Sequence, residues 1–145
     1  MLTSNQKGAV AETAIIHAAT RLGVGVLKPV ADERYDLVFD LRPRLVRVQC
    51  KWAVRLGPVV SIRCYSCRRT ANGLRKRSYT ADEVDALAAY CLELDRCFLV
   101  PAGRIAERSE VRLRLAPPLN SQRSGVNWAA EYDLAATLGR QLLGP

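Results

Sequence analysis

Alternation dominates residues 35–52. In YDLVFDLRPRLVRVQCKW, Leu37, Phe39 and Leu41 share one phase, while Asp36, Val38 and Asp40 share the other. A period of two predicts strands over 35–41 and 45–52, joined through Arg42-Pro43-Arg44. Before them, residues 5–22 are rich in Ala and Ile and read as a helix, with Ser4 or Asn5 as cap and Gly23 as stop. Residues 23–30 form a short extended piece broken by Pro29, and 58–66 (PVVSIRCYS) a third long strand.

The stretch 68–79 (RRTANGLRKRSY) has no apolar periodicity and reads as a loop. Thr80 and Glu83 have capping-box spacing. Val84, Leu87, Ala88 and Cys91 then recur at helical spacing, which predicts a second helix to about Leu94. Residues 97–101 (CFLVP) read as a buried strand and 110–116 (EVRLRLA) as an outer one. After 117–125 (PPLNSQRSG), residues 127–138 read as a last short helix. The order predicts an α/β fold, a mixed β-sheet flanked by helices, in one domain over 1–145.

Strand geometry places Gln49 and Lys51 on one face and Cys50 on the other. If the hairpin loop has two or four residues, Asp40 pairs with Leu45 and Asp36 lies opposite Gln49. Their Cβ atoms are then about 5 Å apart, with Lys51 on the diagonal. Polar groups on a core strand need partners or a ligand; the bland alternative is a wetted outer face. Glu12 is the only acid of the first helix, and its helical neighbours Gly8, Ala9, Ile15 and Ile16 offer no cation. It needs a partner from elsewhere, a metal ion or a sheet lysine, unless it is partly exposed. Two carboxylates and an amide oxygen suit Mg²⁺, or Mn²⁺. A lysine beside such an ion can orient water or steady charge at phosphorus, the parts of phosphodiester hydrolysis.

Charge points the same way. Twenty-two Lys and Arg against fourteen Asp and Glu give a formal +8, a bias towards polyanions such as nucleic acid. Arg68, Arg69, Arg75, Lys76 and Arg77 crowd one segment without an acid. Asn72, Gly73 and Tyr79 would let that segment approach bases. Ser4, Asn5 and Lys7, at a helix start, are placed to touch phosphate. The single histidine, His17, excludes histidine-based triads and reads as structural or surface. No Gly-rich phosphate loop is present. The five cysteines suit reduced, mostly buried thiols, and Cys64-x-x-Cys67 alone is a weak zinc signal. No apolar run reaches the roughly 20 residues of a bilayer span, and the start lacks the order of a secretory signal; a cytoplasmic location is expected.

Glu12 on a first helix, Tyr35-Asp36, and Val48-Gln49-Cys50-Lys51 together resemble the PD-(D/E)XK nuclease superfamily. The likeness is greatest to its bacterial group I intron-encoded homing endonucleases, whose third position is also Gln. The chain is similar in outline to archaeal-type Holliday junction resolvases. The resemblance covers roughly residues 4–101, and Trp128–Asp133 extends it. It implies Glu12, Asp36 and Gln49 around a metal and Lys51 assisting catalysis. Tyr35 stands where a Pro precedes the Asp in the general pattern, and Gln49 replaces an acid, which lowers the local charge by one. The expected function is a Mg²⁺-dependent DNA endonuclease cutting both strands at a specific site, as a homodimer or higher homo-oligomer. The C-terminal helix or residues 84–94 would serve as contact surfaces. The alternatives are a structure-specific enzyme for branched DNA and a DNA-binding module without catalysis. The whole reading requires Glu12 to meet the hairpin trio closely enough to share a cation; side chains dispersed or on opposite layers would end it.

Overall fold

The computed structural model describes residues 1–105, 108–118, 120 and 125–143, the last three by backbone alone. The chain runs α1 (Ser4–Arg21), β1 (Gly25–Leu27), β2 (Leu37–Asp40), β3 (Leu45–Trp52), β4 (Val54–Leu56), β5 (Val59–Arg63), β6 (Tyr65–Thr70) and β7 (Gly73–Ser78). It continues through β8 (Ala86–Cys91), β9 (Arg96–Pro101), β10 (Glu110–Arg114) and α2 (Leu134–Leu143), with a 3-10 turn over Ala129–Tyr132 before α2. Five strands form a mixed sheet in the order β1-β2-β3-β8-β9. A smaller sheet runs β10-β5-β4, and β6 and β7 make a separate two-stranded ribbon.

Two apolar layers cover the main sheet. On one side α1 packs Ala11, Ile15 and Ala19 against Leu37, Phe39, Val46 and Val48. On the other, Leu87, Ala89 and Phe98 meet Val60 and Ile62 of the small sheet, together with Tyr79 and Tyr132. The hairpin register is the one expected. Asp40 pairs with Leu45 and Leu37 with Val48 across a four-residue loop closed by Leu41 N–H to the Arg44 carbonyl. Leu37 and Phe39 are fully buried while Asp36, Val38 and Asp40 are half-buried, so the alternation divides core from margin.

Several elements differ from the expectation. The helix cap is Thr3, not Ser4 or Asn5. Its side chain accepts the Gln6 N–H and the Gln6 amide oxygen takes the Thr3 N–H, a capping box one residue earlier. At the other end Gly23 takes φ +81°, and Gly23 and Val24 donate back to Thr20 and Ala19.

The second helix does not form. Thr80 and Glu83 make only a local turn, their side chains bonded at 3.2 Å, and the apolar run continues as β8. That strand is buried at every position and lies parallel to β3, Val48 against Ala86 and Lys51 against Ala89. A strand covered on both faces is continuously apolar, and such a run carries no period to tell it from a helix. Its burial takes Ala86–Cys91 off the surface, while Leu92, just after it, is exposed.

The long strand over 58–66 breaks at Cys64 into β5 and β6, which join different sheets, and β4 pairs with β5 through a Gly57-Pro58 turn. The segment 68–79 is not a loop: it supplies most of the β6–β7 ribbon, Arg68 opposite Arg75 and Thr70 opposite Gly73. The last helix is split. Asp133 is extended and bridges to Phe98, and α2 follows it. The connection over 117–125 lies partly outside the described residues.

Candidate active site

Asp36 stands one residue before β2, where its N–H still joins the ladder to the Val48 carbonyl at 2.9 Å. Its carboxylate accepts the Cys50 N–H at 3.0 Å, which anchors it between Gln49 and Lys51 on β3. Burial pushes the Asp36 carboxyl above its ordinary value and the nearby Glu12 charge adds to that; the Cys50 N–H, Lys51 and Lys28 oppose it. Asp36 is therefore a partly desolvated acid facing a second acid, a position that favours a bound cation.

Glu12 meets its cation from β1. Lys28, just past that strand, places Nζ 2.7 Å from the Glu12 carboxylate. The Lys28 ammonium is raised by the bond to Glu12 and is also drawn by Asp36. It is a stand-in positive charge beside the two carboxylates, and it answers the sequence's question about Glu12 with a residue the sequence reading missed. Lys28 is outside the helix and follows a strand of only three residues, so no local spacing marks it.

Gln49 is half-buried on β3, and its side-chain amide has no partner among the described residues. Lys51 shares its strand face. The Lys51 Nζ donates to the Tyr65 carbonyl at 2.8 Å and lies 4.8 Å over the Tyr79 ring. Burial lowers the Lys51 ammonium below its ordinary value, with Arg34 adding to this and Asp36 opposing it. Lys51 thus points to the small-sheet layer, whereas Glu12 belongs to α1 on the other. Contrary to the expectation, the four side chains do not all converge from one side. Asp36 is the group that both Glu12 and Lys51 influence electrostatically.

Among the described residues no group of three or more His, Cys, Asp or Glu is placed to hold a metal. The donor set is two carboxylates and one unengaged amide oxygen. Oxygen donors of this kind suit a hard divalent cation by their chemistry, but Glu12 is engaged by Lys28.

A groove of about 720 Å³ opens beside Lys51, with Ser4, Lys7, Trp52, Arg63 and Tyr65 in its walls. Of the four motif side chains only Lys51 lines it. Ser4 and Asn5 are exposed in the first helical turn, and Lys7 lies 5.8 Å over the Trp52 ring. Trp52 and Arg63 carry no sequence signal for this role. Tyr79, expected near bases, is instead buried, 3% exposed, with Arg34 4.2 Å over its ring. Arg34 also ties the ribbon down: it donates to Ser66 Oγ at 2.7 Å and to the Ser78 carbonyl at 2.9 Å, with Glu83 at 3.1 Å from its Nε. His17 is exposed on α1.

A sheet in this order, with an acid at the mouth of the β2–β3 hairpin and the Gln49-x-Lys51 pair on β3, is the layout of a PD-(D/E)XK nuclease core. A family model for the PD-(D/E)XK endonuclease matches residues 2–135, and the chain belongs to that family. It is similar to the solved structure of a bacterial homing endonuclease, I-Ssp6803I. The TM-score is 0.76 at 28% identity, covering 97% of this chain and 95% of that one. No curated protein matches it.

Proposed function

We propose that the protein is a Mg²⁺-dependent (or Mn²⁺-dependent) DNA endonuclease that cuts both strands at a specific site, with residues 1–145 forming one nuclease domain. The observation that carries this reading is Asp36: a desolvated carboxylate anchored on β3, next to Glu12 on one side and Lys51 on the other. Family membership and the likeness to a homing endonuclease support it.

Glu12, Asp36 and the Gln49 amide oxygen would hold the cation, which when bound supplies positive charge to the reacting phosphate. Asp36 keeps its orientation through the Cys50 N–H. Lys51, held by the Tyr65 carbonyl, presents an ammonium to the groove where charge builds at phosphorus. Ser4, Asn5 and Lys7 offer a hydroxyl, free helix N–H groups and a cation to the DNA backbone. The cations of the ribbon, Arg68, Arg69, Arg75, Lys76 and Arg77, add charge that draws the duplex in. Cutting two strands requires two such sites, hence a homodimer or larger assembly. Among the described residues no helix is long and apolar enough to cross a membrane.

Lys51→Ala tests the assignment. It should lower Mg²⁺-dependent cleavage by about 100-fold or more while duplex binding persists. Cleavage equal to the parent's removes Lys51 from the chemistry.

A further inference from the structure

Lys51 is held from both ends of the ribbon. Its Nζ donates to the carbonyl of Tyr65, the first residue of β6, at 2.8 Å. It also lies 4.8 Å over the ring of Tyr79, the residue that follows β7. Tyr65 pairs with Ser78, so both anchors belong to the base of the ribbon and not to its tip. Tyr79 is buried in the same cluster as Ile62, Cys64 and Val84 and takes no part in the wall of the Lys51 groove. An uncharged ring attracts an ammonium without neutralising it, as a carboxylate would. The two anchors restrain a long, flexible side chain and leave it donors for a phosphate oxygen.

One further residue fixes both anchors. Arg34 lies 4.2 Å over the same Tyr79 ring and donates to Ser66 Oγ at 2.7 Å and to the Ser78 carbonyl at 2.9 Å. Ser66 follows Tyr65 and Ser78 precedes Tyr79, so Arg34 ties together the residues beside each anchor. Glu83, 3.1 Å from the Arg34 Nε, balances its charge, which lets a second cation stand on the ring that also receives Lys51.

We infer that Tyr79 and Arg34 are positioning residues for Lys51, acting through the base of the ribbon on the cleavage of bound DNA rather than on its capture. The inference rests on the DNA-endonuclease reading, with Lys51 in the chemistry, and deepens it.

The test starts with selection of duplexes bound by the parent chain from a random-sequence pool. Binding of the selected duplex without divalent ion, and its single-turnover cleavage with Mg²⁺ at saturating protein, are compared for the parent, Y79F, Y79L, R34M and K51A, with thermal melts to verify folding. Y79L and R34M should slow cleavage of the bound duplex by about tenfold or more and weaken binding by less than about threefold. Y79F keeps the ring and should cut within about threefold of the parent's rate. Added to K51A, Y79L or R34M should slow cleavage by less than about threefold further, because the effect runs through Lys51. R34M carries the test if Y79L melts early. Rates equal to the parent's, a loss of binding as large as the loss of rate, Y79F as slow as Y79L, or an undiminished effect on top of K51A overturns the inference and leaves the nuclease reading standing. A parent that cuts no selected duplex, or K51A cutting as fast as the parent, defeats the reading beneath it and this inference with it.

Discussion

The Asp36 carboxylate accepts the Cys50 backbone N–H at 3.0 Å, so the acid at the hairpin mouth is fixed to the strand carrying Gln49 and Lys51. Without a cation this arrangement is unfavourable, because a buried carboxylate beside Glu12 is harder to ionise. The sign follows from linkage. An acid whose folded value is raised supports the fold while protonated and works against it as pH rises through that value. Asp36→Asn keeps an acceptor for Cys50 and removes the charge. In metal-free buffer near neutral pH, thermal melts should show the variant more stable than the parent. The gap should narrow as pH falls below about 4, where unfolded carboxylates protonate. A variant that melts lower near neutral pH contradicts the assigned strain.

In the proposed site Lys28 would compete with a divalent ion for Glu12, since its Nζ sits 2.7 Å from that carboxylate. Lys28→Ala should therefore move the Mg²⁺ midpoint for activity, or for calorimetric binding, to lower concentration. A midpoint that stays or rises shows that the lysine supports the site rather than substituting for the ion.

Arg47 and Asp85 clamp β3 to the entry of β8. The Arg47 backbone N–H donates to the Asp85 carboxylate at 2.8 Å and its guanidinium pairs with it at 3.1 Å. The Arg47 hydrogen bond holds Asp85 below the usual carboxylate range. The stability it gives is present above the unfolded value and is lost as pH falls through the folded one. Both side chains are about a third exposed, so solvent screens the pair and about 0.5–1 kcal/mol is expected. Urea melts of Asp85→Asn should trail the parent by that amount near pH 7 and converge with it in acid. A gap that persists in acid points to a shape effect instead.

The observed cap of α1 gives a fourth outcome. Thr3→Ala removes the acceptor for the Gln6 N–H and should cost about 1 kcal/mol in a denaturant melt. Ser4→Ala, one residue into the helix, should cost much less. Equal losses would return the cap to Ser4.

Legibility followed the strength of each local pattern. The β2–β3 hairpin was readable because Leu37, Phe39 and Leu41 alternate cleanly and a four-residue loop sets the register by counting, which also placed Asp36 near Gln49. β8 was misread because Ala86–Cys91 is apolar throughout, and Val84, Leu87, Ala88 and Cys91 happen to fall at helical spacing. The ribbon was missed because nearly all its side chains meet solvent, so β pairing left no alternation of apolar and polar positions. Asn72-Gly73 was its one local cue for a turn. Lys28 and Arg34 act through contacts made by folding, Lys28 across to α1 and Arg34 across to both ribbon strands, and no spacing within the sequence marks either one.

The most direct measurement places the parent and Asp36→Ala with supercoiled plasmid carrying a selected binding site, and with a four-way junction, each with and without Mg²⁺. The account predicts Mg²⁺-dependent linearisation of the plasmid by the parent alone, and no preference for the junction. Cutting by Asp36→Ala, cutting without a divalent ion, or no cutting by the parent under any of these conditions would contradict it.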